Sequence, residues 1–248
     1  LVAVDGKAVQ DSKALEDAIF DLKSKAAKHI GVQQGMTVLD VGCGQGGFTA
    51  ALAQIAGENG SVLAVDVSDE YLDEFIQRLD RYGVRNRVTF IQADGASLEG
   101  MVSDGVADMV VSFRLIEELK KREDMPKVIR EMTRVASNGG RVCLTEMSTA
   151  ARNRAEEVYI RLHKESGDCF FAPDEIVRGM EESGLEDVCV DKIDTDIWFS
   201  PELARQELSF AQVWYDTEVE RNLGSLVDKH GMKYPEFLVF SGHKPGKE

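Results

Sequence analysis

One short segment near the N-terminus constrains the fold of this 248-residue chain more than any other. Residues 38–47 read Val-Leu-Asp-Val-Gly-Cys-Gly-Gln-Gly-Gly, the pattern of a buried strand that runs through a glycine-rich turn into a helix. A second apolar run ends at Asp66, nineteen positions after Gly47. Strand, glycine turn, helix, strand and acid is the order of a nucleotide site in a parallel α/β sheet. The glycines let the backbone approach a ligand, and the carboxylate can accept hydrogen bonds from both hydroxyls of a ribose.

Apolar runs and amphipathic helical patterns alternate along the first 147 residues. This alternation favours a parallel sheet that is covered by helices on both faces and connected by right-handed crossovers. We therefore expect an α/β fold, doubly wound around a mostly parallel seven-stranded sheet. The predicted strands are 36–41, 61–66, 88–92, 107–113 and 141–146, and the predicted helices are 46–57, 69–82 and 124–137.

The N-terminal segment is predicted to be a helical addition to this fold. Apolar residues repeat at helical spacing within residues 13–30. We expect residues 1–35 to form a helical lid over the ligand cleft, with the cover of a sheet edge as the alternative. Residues 36–248 would then form the main domain.

The pattern changes after residue 147. We interpret 148–172 and 200–232 as insertions on the substrate side, the second between the last two strands. The predicted elements are helices at 150–166 and 173–183, a strand at 188–193 with a continuation toward Phe199, a helix or helix pair at 201–229 that breaks near Gly224, and a strand at 237–242.

Composition narrows the classes of partner. The chain has 44 acidic and 29 basic residues and a formal net charge of −15, which disfavours nucleic acid as a partner. The excess of acidic residues is compatible with a small or cationic substrate. The alternative is that it only increases solubility. No C-x-x-C pair joins Cys43, Cys143, Cys169 and Cys189, so no metal site is predicted. We see no apolar run of membrane-spanning length and no signal segment, and we expect a cytoplasmic protein.

Several motifs resemble those of class I S-adenosylmethionine-dependent methyltransferases. Residues 38–44 resemble the first motif of that family, Asp66 matches its acid after the second strand, and Ala93-Asp94-Gly95 resembles its third motif. Residues 138–141, Asn-Gly-Gly-Arg, resemble the turn before its fifth strand. The resemblance implies S-adenosylmethionine as cofactor and a binding site made of Asp40, Gly42, Cys43, Gly44, Gly46, Asp66, Val67, Asp94, Gly95 and Phe113.

Each of these side chains also has a purely structural interpretation. Asp40 and Asp66 would cap the helices that follow them, and Asp94 would form a turn beside Gly95. Val67 and Phe113 would be ordinary core residues.

The stretch 112–146 also resembles the subgroup of ubiquinone and menaquinone biosynthesis C-methyltransferases. Asn138 stands where such sequences often carry proline. The subgroup therefore does not fix the substrate.

A nicotinamide-dependent dehydrogenase is the main alternative for a glycine turn of this kind. Asp40 lies just before the first glycine, where it can reach toward a methionine ammonium, and Asp94 supplies a second acid suited to adenine. The chain has no later Tyr-x-x-x-Lys pair for proton transfer. These features favour the methyltransferase.

The implied chemistry is an in-line displacement at a sulfonium methyl, for which the protein must align the nucleophile and exclude water. A general base is needed only if the acceptor loses a proton. His163 and Arg114 are the candidate catalytic residues, and Glu117 is a further residue for acceptor contact; each is otherwise a solvated side chain. Aromatic side chains form a candidate apolar pocket or the small core of an insertion: Phe170, Phe171, Trp198, Phe210 and Trp214.

We predict methyl transfer from S-adenosylmethionine to a small organic acceptor. The sequence leaves the oligomeric state open, with a homodimer as one option. A protein or RNA methyltransferase is one alternative, although Ser-Phe-Arg-Leu at 112–115 replaces the Asn-Pro-Pro-Tyr motif of many such enzymes. A non-catalytic protein that binds the cofactor is the other alternative.

Overall fold

The computed structural model describes residues 8–215 and 218–246, apart from the side chains of residues 214 and 215. These residues form two compact units. The sheet unit contains residues 23–146, 171–191 and 238–246, and the helical unit contains the described residues of 8–22, 147–170 and 192–237.

The helices and strands have the following bounds. The strands are β1 Thr37–Val41, β2 Ser61–Asp66, β3 Val88–Gln92, β4 Ala107–Phe113, β5 Ala136–Met147, β6 Glu186–Ile193, β7 Trp198–Phe199, β8 Met232–Lys233 and β9 Phe237–His243. The α-helices are α1 Ser12–His29, α2 Gly47–Ala56, α3 Leu72–Arg81, α4 Met125–Val135, α5 Arg154–Glu165, α6 Pro173–Glu182, α7 Pro201–Tyr215 and α8 Val219–His230.

A seven-stranded sheet organises the fold, in the order β3-β2-β1-β4-β5-β9-β6. The neighbours from β3 to β5 pair in parallel, and Asp40 in β1 lies opposite Ala64 in β2 and Val111 in β4. The predicted doubly wound α/β fold is confirmed. Strand order reverses between β1 and β4, and open sheets of this type bind ligands outside the carboxyl ends of the strands at such a point.

The central strands β1 and β4 are largely buried, and hydrophobic side chains of the sheet pack against helices in one cluster. Val110 and Leu144 are fully buried in one hydrophobic cluster with Ile129 of α4 and Met180 of α6. Each such side chain contributes about 1.5–3 kcal/mol relative to exposure. On α2, the buried residues Phe48, Ala50, Ala51, Leu52 and Ala53 leave almost no solvated face. The rigid strands and α2 therefore fix the loop that joins β1 to α2.

The helical unit contains α5, α7 and α8. Its small sheet pairs β7 and β8 in antiparallel register, with Phe199 opposite Met232. Glu156 of α5 is fully buried, and Lys233 of β8 donates a hydrogen bond to it at 3.0 Å. Arg152 also donates to Glu156, so the buried carboxylate is neutralised within this unit.

Two predicted features of the C-terminal region are wrong. The predicted break near Gly224 is absent, because Gly224 lies inside α8. A Cβ atom at this position would lie 2.5 Å from Arg205 Nη1 of α7, so the glycine permits close packing of α7 and α8. The predicted continuation of the strand at 188–193 toward Phe199 is also wrong, because β7 pairs with β8 instead.

Candidate functional site

The glycine turn between β1 and α2 is held by backbone hydrogen bonds. Gly42 N and Cys43 N both donate to the carbonyl oxygen of Val65 in β2, at 2.8 and 3.0 Å. Gly42, Gly44 and Gly46 have φ angles of +77°, +46° and +79°, in the left-handed region that favours glycine. The turn therefore requires glycine for its backbone shape alone.

The space around the three glycines differs. A Cβ atom at Gly42 would lie 2.6 Å from Leu115 Cδ1, and a Cβ atom at Gly46 would lie 2.7 Å from Phe75 Cδ2. A Cβ atom at Gly44 would meet no atom within 4 Å among the described residues, its two chain neighbours aside. Gly42 and Gly46 thus face protein, whereas Gly44 faces open space that a ligand can fill.

Asp66 connects the end of β2 to the glycine turn. Its carboxylate accepts a hydrogen bond from Gly44 N at 2.8 Å and another from Ser68 N at 3.1 Å. The alternative interpretation of Asp66 as a helix cap is wrong, because α3 begins only at Leu72 and its N-cap is Tyr71, without a side-chain cap among the described residues. Val67 is 67% exposed, so its interpretation as a core residue is wrong too.

Asp94 and Gly95 follow β3. Ala93 N donates to Asp66 O at 2.8 Å, which places this turn next to the end of β2. The carboxylate of Asp94 accepts from Ala96 N at 2.8 Å, as expected of a turn former. A Cβ atom at Gly95 would lie 2.8 Å from Val41 Cγ1, so only glycine fits against β1.

Asp40 lies inside the site. It is 1% exposed, and Thr49 Oγ1 donates to its Oδ2 at 2.6 Å. The alternative interpretation of Asp40 as a helix cap is wrong, because the N-cap of α2 is Gly46 and the described residues give this helix no side-chain cap. Asp40 Oδ1 has no hydrogen-bond partner among the described residues. Burial raises the pKa of Asp40 to about 6, although the Thr49 hydrogen bond and the charge of Lys23 oppose this rise.

Lys23 is a site residue that sequence reasoning missed. This half-buried lysine of α1 places Nζ 5.4 Å from the centroid of Phe113, and Phe113 in turn packs on Phe48 of α2. Burial lowers the pKa of Lys23 to about 8, and the nearby charge of Arg78 adds to this effect. Lys23 was missed because it belongs to no sequence motif and is one of several charged residues on α1.

We expect Asp40→Asn to raise the free energy of unfolding near pH 7 by about 2 kcal/mol. The pKa of Asp40 rises on folding from 3.8 to about 6, so folding favours the protonated carboxyl. Its stabilising contribution is complete below pH 3.8 and is lost as the pH rises through about 6, whereas asparagine stays neutral. Urea unfolding of both proteins measures the difference, which should grow with pH. A difference that does not change across this range would contradict the expectation.

Arg114 and Glu117 follow β4 and form an ion pair. Glu117 is 3% exposed, so its interpretation as a solvated residue is wrong. Arg114 has a φ angle of +59°, an uncommon and strained conformation for a residue that is not glycine. The turn after β4 is thus an ordered part of the sheet unit.

His163 belongs to α5 in the helical unit. Its Nδ1 lies 2.9 Å from Oδ2 of Asp168, and its ring centroid lies 4.6 Å from that of Tyr159. The side chains of His163 and Asp168 are only 20% and 10% exposed. His163 is therefore part of an ordered histidine–carboxylate pair and not a solvated residue.

The predicted aromatic pocket stays a prediction. In the helical unit, Phe170 and Trp198 are half-buried, and Phe210 is 51% exposed. The side chain of Trp214 lies outside the described residues. In the sheet unit, Phe171 packs against the hydrophobic core, with the Arg122 guanidinium 4.2 Å from its ring centroid.

The described residues contain neither a metal-ion cluster nor a membrane-spanning helix. Within residues 8–215 and 218–246, no group of three or more His, Cys, Asp or Glu side chains is arranged to hold a metal ion. In the same residues, no helix has both the length and the hydrophobicity needed to cross a bilayer.

The sheet order and the glycine turn define a Rossmann-like methyltransferase fold, and comparison with known proteins agrees. A family described as "Methyltransferase domain" matches residues 32–200, which is more than half of the chain. The chain belongs to this family. The predicted class, the S-adenosylmethionine-dependent methyltransferases, is confirmed.

The chain is also similar to curated proteins and solved structures. It is 34% identical over 119 residues to the ubiquinone/menaquinone biosynthesis C-methyltransferase UbiE of Klebsiella pneumoniae subsp. pneumoniae. This aligned segment covers 48% of this chain and 45% of the relative. The chain thus spans about half the length of the curated relatives it matches.

Two solved structures share the fold. A SAM-dependent methyltransferase from Aquifex aeolicus superposes with a TM-score of 0.60 at 20% identity, covering 94% of each chain. A cyclopropane-fatty-acyl-phospholipid synthase-like protein from Lactobacillus casei gives a TM-score of 0.74 at 16% identity, again over 94% of each chain. At such identities the likeness shows the fold alone.

Proposed function

We propose that this protein transfers a methyl group from S-adenosylmethionine to a small organic acceptor by in-line displacement. The observation that carries the proposal is the open space at Gly44, bounded by the Asp66 carboxylate at the switch point of the sheet. The chemistry of the neighbouring side chains also supports the proposal. Residues at the ends of β2 and β3 suit the adenosine part of the cofactor, and residues at the end of β1 suit its methionine part.

The adenosine part fits the ends of β2 and β3. Asp66 is the acceptor for the two ribose hydroxyls, since a carboxylate can accept more hydrogen bonds than the two amides it now binds. Val67 offers an exposed apolar side chain to the adenine ring. The turn that contains Asp94 and Gly95 lies next to the end of β2. There the Asp94 carboxylate would accept a hydrogen bond from the adenine amino group.

The methionine part fits the end of β1. Its ammonium requires an acceptor, and Asp40 Oδ1 is a buried acceptor without a partner in the described residues. Its carboxylate requires a cation, which Lys23 supplies beside Phe113. Gly42, Cys43 and Gly46 form the floor of this part of the site, and Phe113 borders the thioether.

The bound cofactor supplies the activated methyl group, because a sulfonium is a good leaving group. The chain has to hold the acceptor in line and exclude water. The net charge of −15 disfavours a polyanionic acceptor. Residues 112–115, Ser-Phe-Arg-Leu, stand where many protein and nucleic-acid methyltransferases carry Asn-Pro-Pro-Tyr. The absence of that motif at this position also favours a small molecule as the acceptor.

A transfer assay tests the proposal. The purified chain is incubated with S-adenosylmethionine that carries a tritiated methyl group, together with separate pools of small metabolites, protein and RNA. We expect label in the small-molecule pool. Label only in protein or RNA would establish the macromolecular alternative, and saturable binding without transfer to any pool would indicate a non-catalytic binding protein.

We expect Lys23→Met to weaken S-adenosylhomocysteine binding about tenfold, as loss of a charge-assisted hydrogen bond does. Wild-type affinity should fall as the pH rises through about 8, where Lys23 loses its charge, and the variant should lack this dependence. Calorimetry at several pH values measures both effects. Lys28→Met, an exposed substitution on the same helix, is the control. Equal affinities for the two variants would exclude Lys23 from the site.

A further inference from the structure

Two buried acidic side chains lie where β4 and β5 end in the sheet unit. Glu117 belongs to the short turn Ile116–Glu118 after β4, and Glu146 is the penultimate residue of β5. They are 3% and 4% exposed. A buried carboxylate is costly unless it is paired or hydrogen-bonded, or becomes protonated.

Each carboxyl uses one oxygen and leaves the other without a partner. Glu117 Oε1 accepts from Arg114 Nε, and Glu146 Oε1 accepts from Leu115 N and Ile116 N, both at 3.3 Å. Oε2 of each glutamate has no hydrogen-bond partner among the described residues. The hydroxyl of Ser112, whose fully buried side chain lies on β4, is unpartnered in the same way. These unpartnered atoms are a place for a polar group of a ligand or for a water molecule.

The charges around Glu146 favour proton exchange. Burial raises the pKa of Glu146 well above its usual range, and the negative charge of Glu117 raises it further. The amides of Leu115 and Ile116 and the charge of Arg114 oppose the rise only in part. A carboxyl shifted in this direction is suited to act as a general base, since an effective base has a pKa near the working pH.

The turn that holds the pair packs directly on the glycine turn. A Cβ atom at Gly42 would lie 2.6 Å from Leu115 Cδ1, and Phe113, just before the turn, packs on Phe48. Arg114 N donates to Thr145 O at 2.8 Å, which ties the strained residue to β5. The carboxyl pair is therefore fixed next to the loop that forms the floor of the proposed cofactor site.

We propose that Glu146, with Glu117 as its charge partner, accepts the proton that the methyl acceptor loses. This inference rests on the proposed function. A new bond forms between the acceptor atom and the methyl carbon while the carbon–sulfur bond breaks and its electron pair stays on sulfur. The proton of the acceptor atom passes to Glu146 Oε2, directly or through one water molecule, and is later released to solvent.

The first test needs no acceptor. Infrared spectra of the full chain, recorded through a pH titration, follow the carbonyl stretch of protonated carboxyl groups. We expect a carboxyl that titrates well above the usual glutamate range in the wild type, that is missing in Glu146→Gln, and that titrates at lower pH in Glu117→Gln. Glu118→Gln, an exposed change in the same turn, is the control and should match the wild type. A titration curve that is the same in the wild type and in Glu146→Gln would overturn the proposal.

The second test uses the acceptor found in the transfer assay. Glu146→Gln should lower kcat about 10²- to 10⁴-fold with KM little changed, and should remove the rise of kcat with pH. Glu117→Gln should shift that rise to lower pH, and this second variant decides if Glu146→Gln fails to fold. Wild-type kcat and pH profile in both variants would overturn the proposal. Unchanged S-adenosylhomocysteine affinity in each variant distinguishes this failure from a failure of the cofactor site itself.

Discussion

Gly44→Val is expected to abolish detectable binding of S-adenosylmethionine and S-adenosylhomocysteine in a protein that still folds. Apart from its chain neighbours, no residue that the structure describes lies within 4 Å of a Cβ atom at Gly44, so the valine side chain enters the space proposed for the cofactor and not the core. The φ angle of +46° adds a backbone cost of about 1–2 kcal/mol for any residue other than glycine. Calorimetric titration measures affinity, and thermal melting measures the cost in stability.

Gly83→Val is the matched control for this variant. Gly83 has a φ angle of +65° and is exposed, and a Cβ atom there would also have no neighbour within 4 Å in the described part of the chain, its adjacent residues aside. It lies after α3, away from the glycine turn. The control should lose similar stability and keep wild-type affinity. Wild-type affinity in Gly44→Val, or equal loss in both variants, would show that the space at Gly44 is not the cofactor site.

Asp66→Ala is expected to weaken cofactor binding about ten- to 150-fold, or roughly 1.5–3 kcal/mol. The carboxylate now accepts from Gly44 N at 2.8 Å, and in the proposed complex it also accepts from the ribose hydroxyls. Its loss therefore removes a charge-assisted ligand contact and one anchor of the glycine turn. Calorimetry with S-adenosylhomocysteine measures the combined effect.

Two further variants identify the cause of that loss. Asp66→Asn keeps an oxygen for Gly44 N but loses the charge, so an affinity between those of wild type and Asp66→Ala is expected. Glu70→Ala removes an exposed acid four residues later and should bind as the wild type does. If Asp66→Ala and Glu70→Ala bind equally well, the ribose assignment is contradicted.

The part of the site that was predicted from sequence is the part encoded locally. A strand that ends in Asp40 and Val41 and is followed directly by Gly42 can be recognised without a tertiary structure, since strand period and glycine position are both short-range signals. Asp66 follows the same logic, because the end of one apolar run sets its position. The parallel register of β1 and β2 then brings Asp66 to Gly44 without further information.

The missed residues depend on contacts between distant segments. Lys23 reaches Phe113 across 90 positions, and Glu146 binds the amide of Leu115 across 31. Lys23 belongs to no motif, and the resemblance of the stretch 112–146 did not single out Glu146. Only the folded sheet unit shows that Glu146 is buried beside Glu117. Burial and the identity of unpartnered atoms are tertiary properties, so no periodicity in the sequence reports them.

The wrong predictions have the same origin. A glycine within a helical pattern costs about 1 kcal/mol and suggests a break, but Gly224 is kept where α8 approaches Arg205. Asp40 stands where a cap is expected, yet Thr49 donates its hydroxyl to it across nine positions. In both cases a packing contact overrides a local preference.

Calorimetric titration of the full chain with S-adenosylhomocysteine tests the cofactor site most directly. We predict one saturable site per chain. The heat of binding should be absent in Gly44→Val and should be retained in Gly83→Val. Absence of saturable binding in a protein that unfolds cooperatively on heating would contradict the assignment of this pocket.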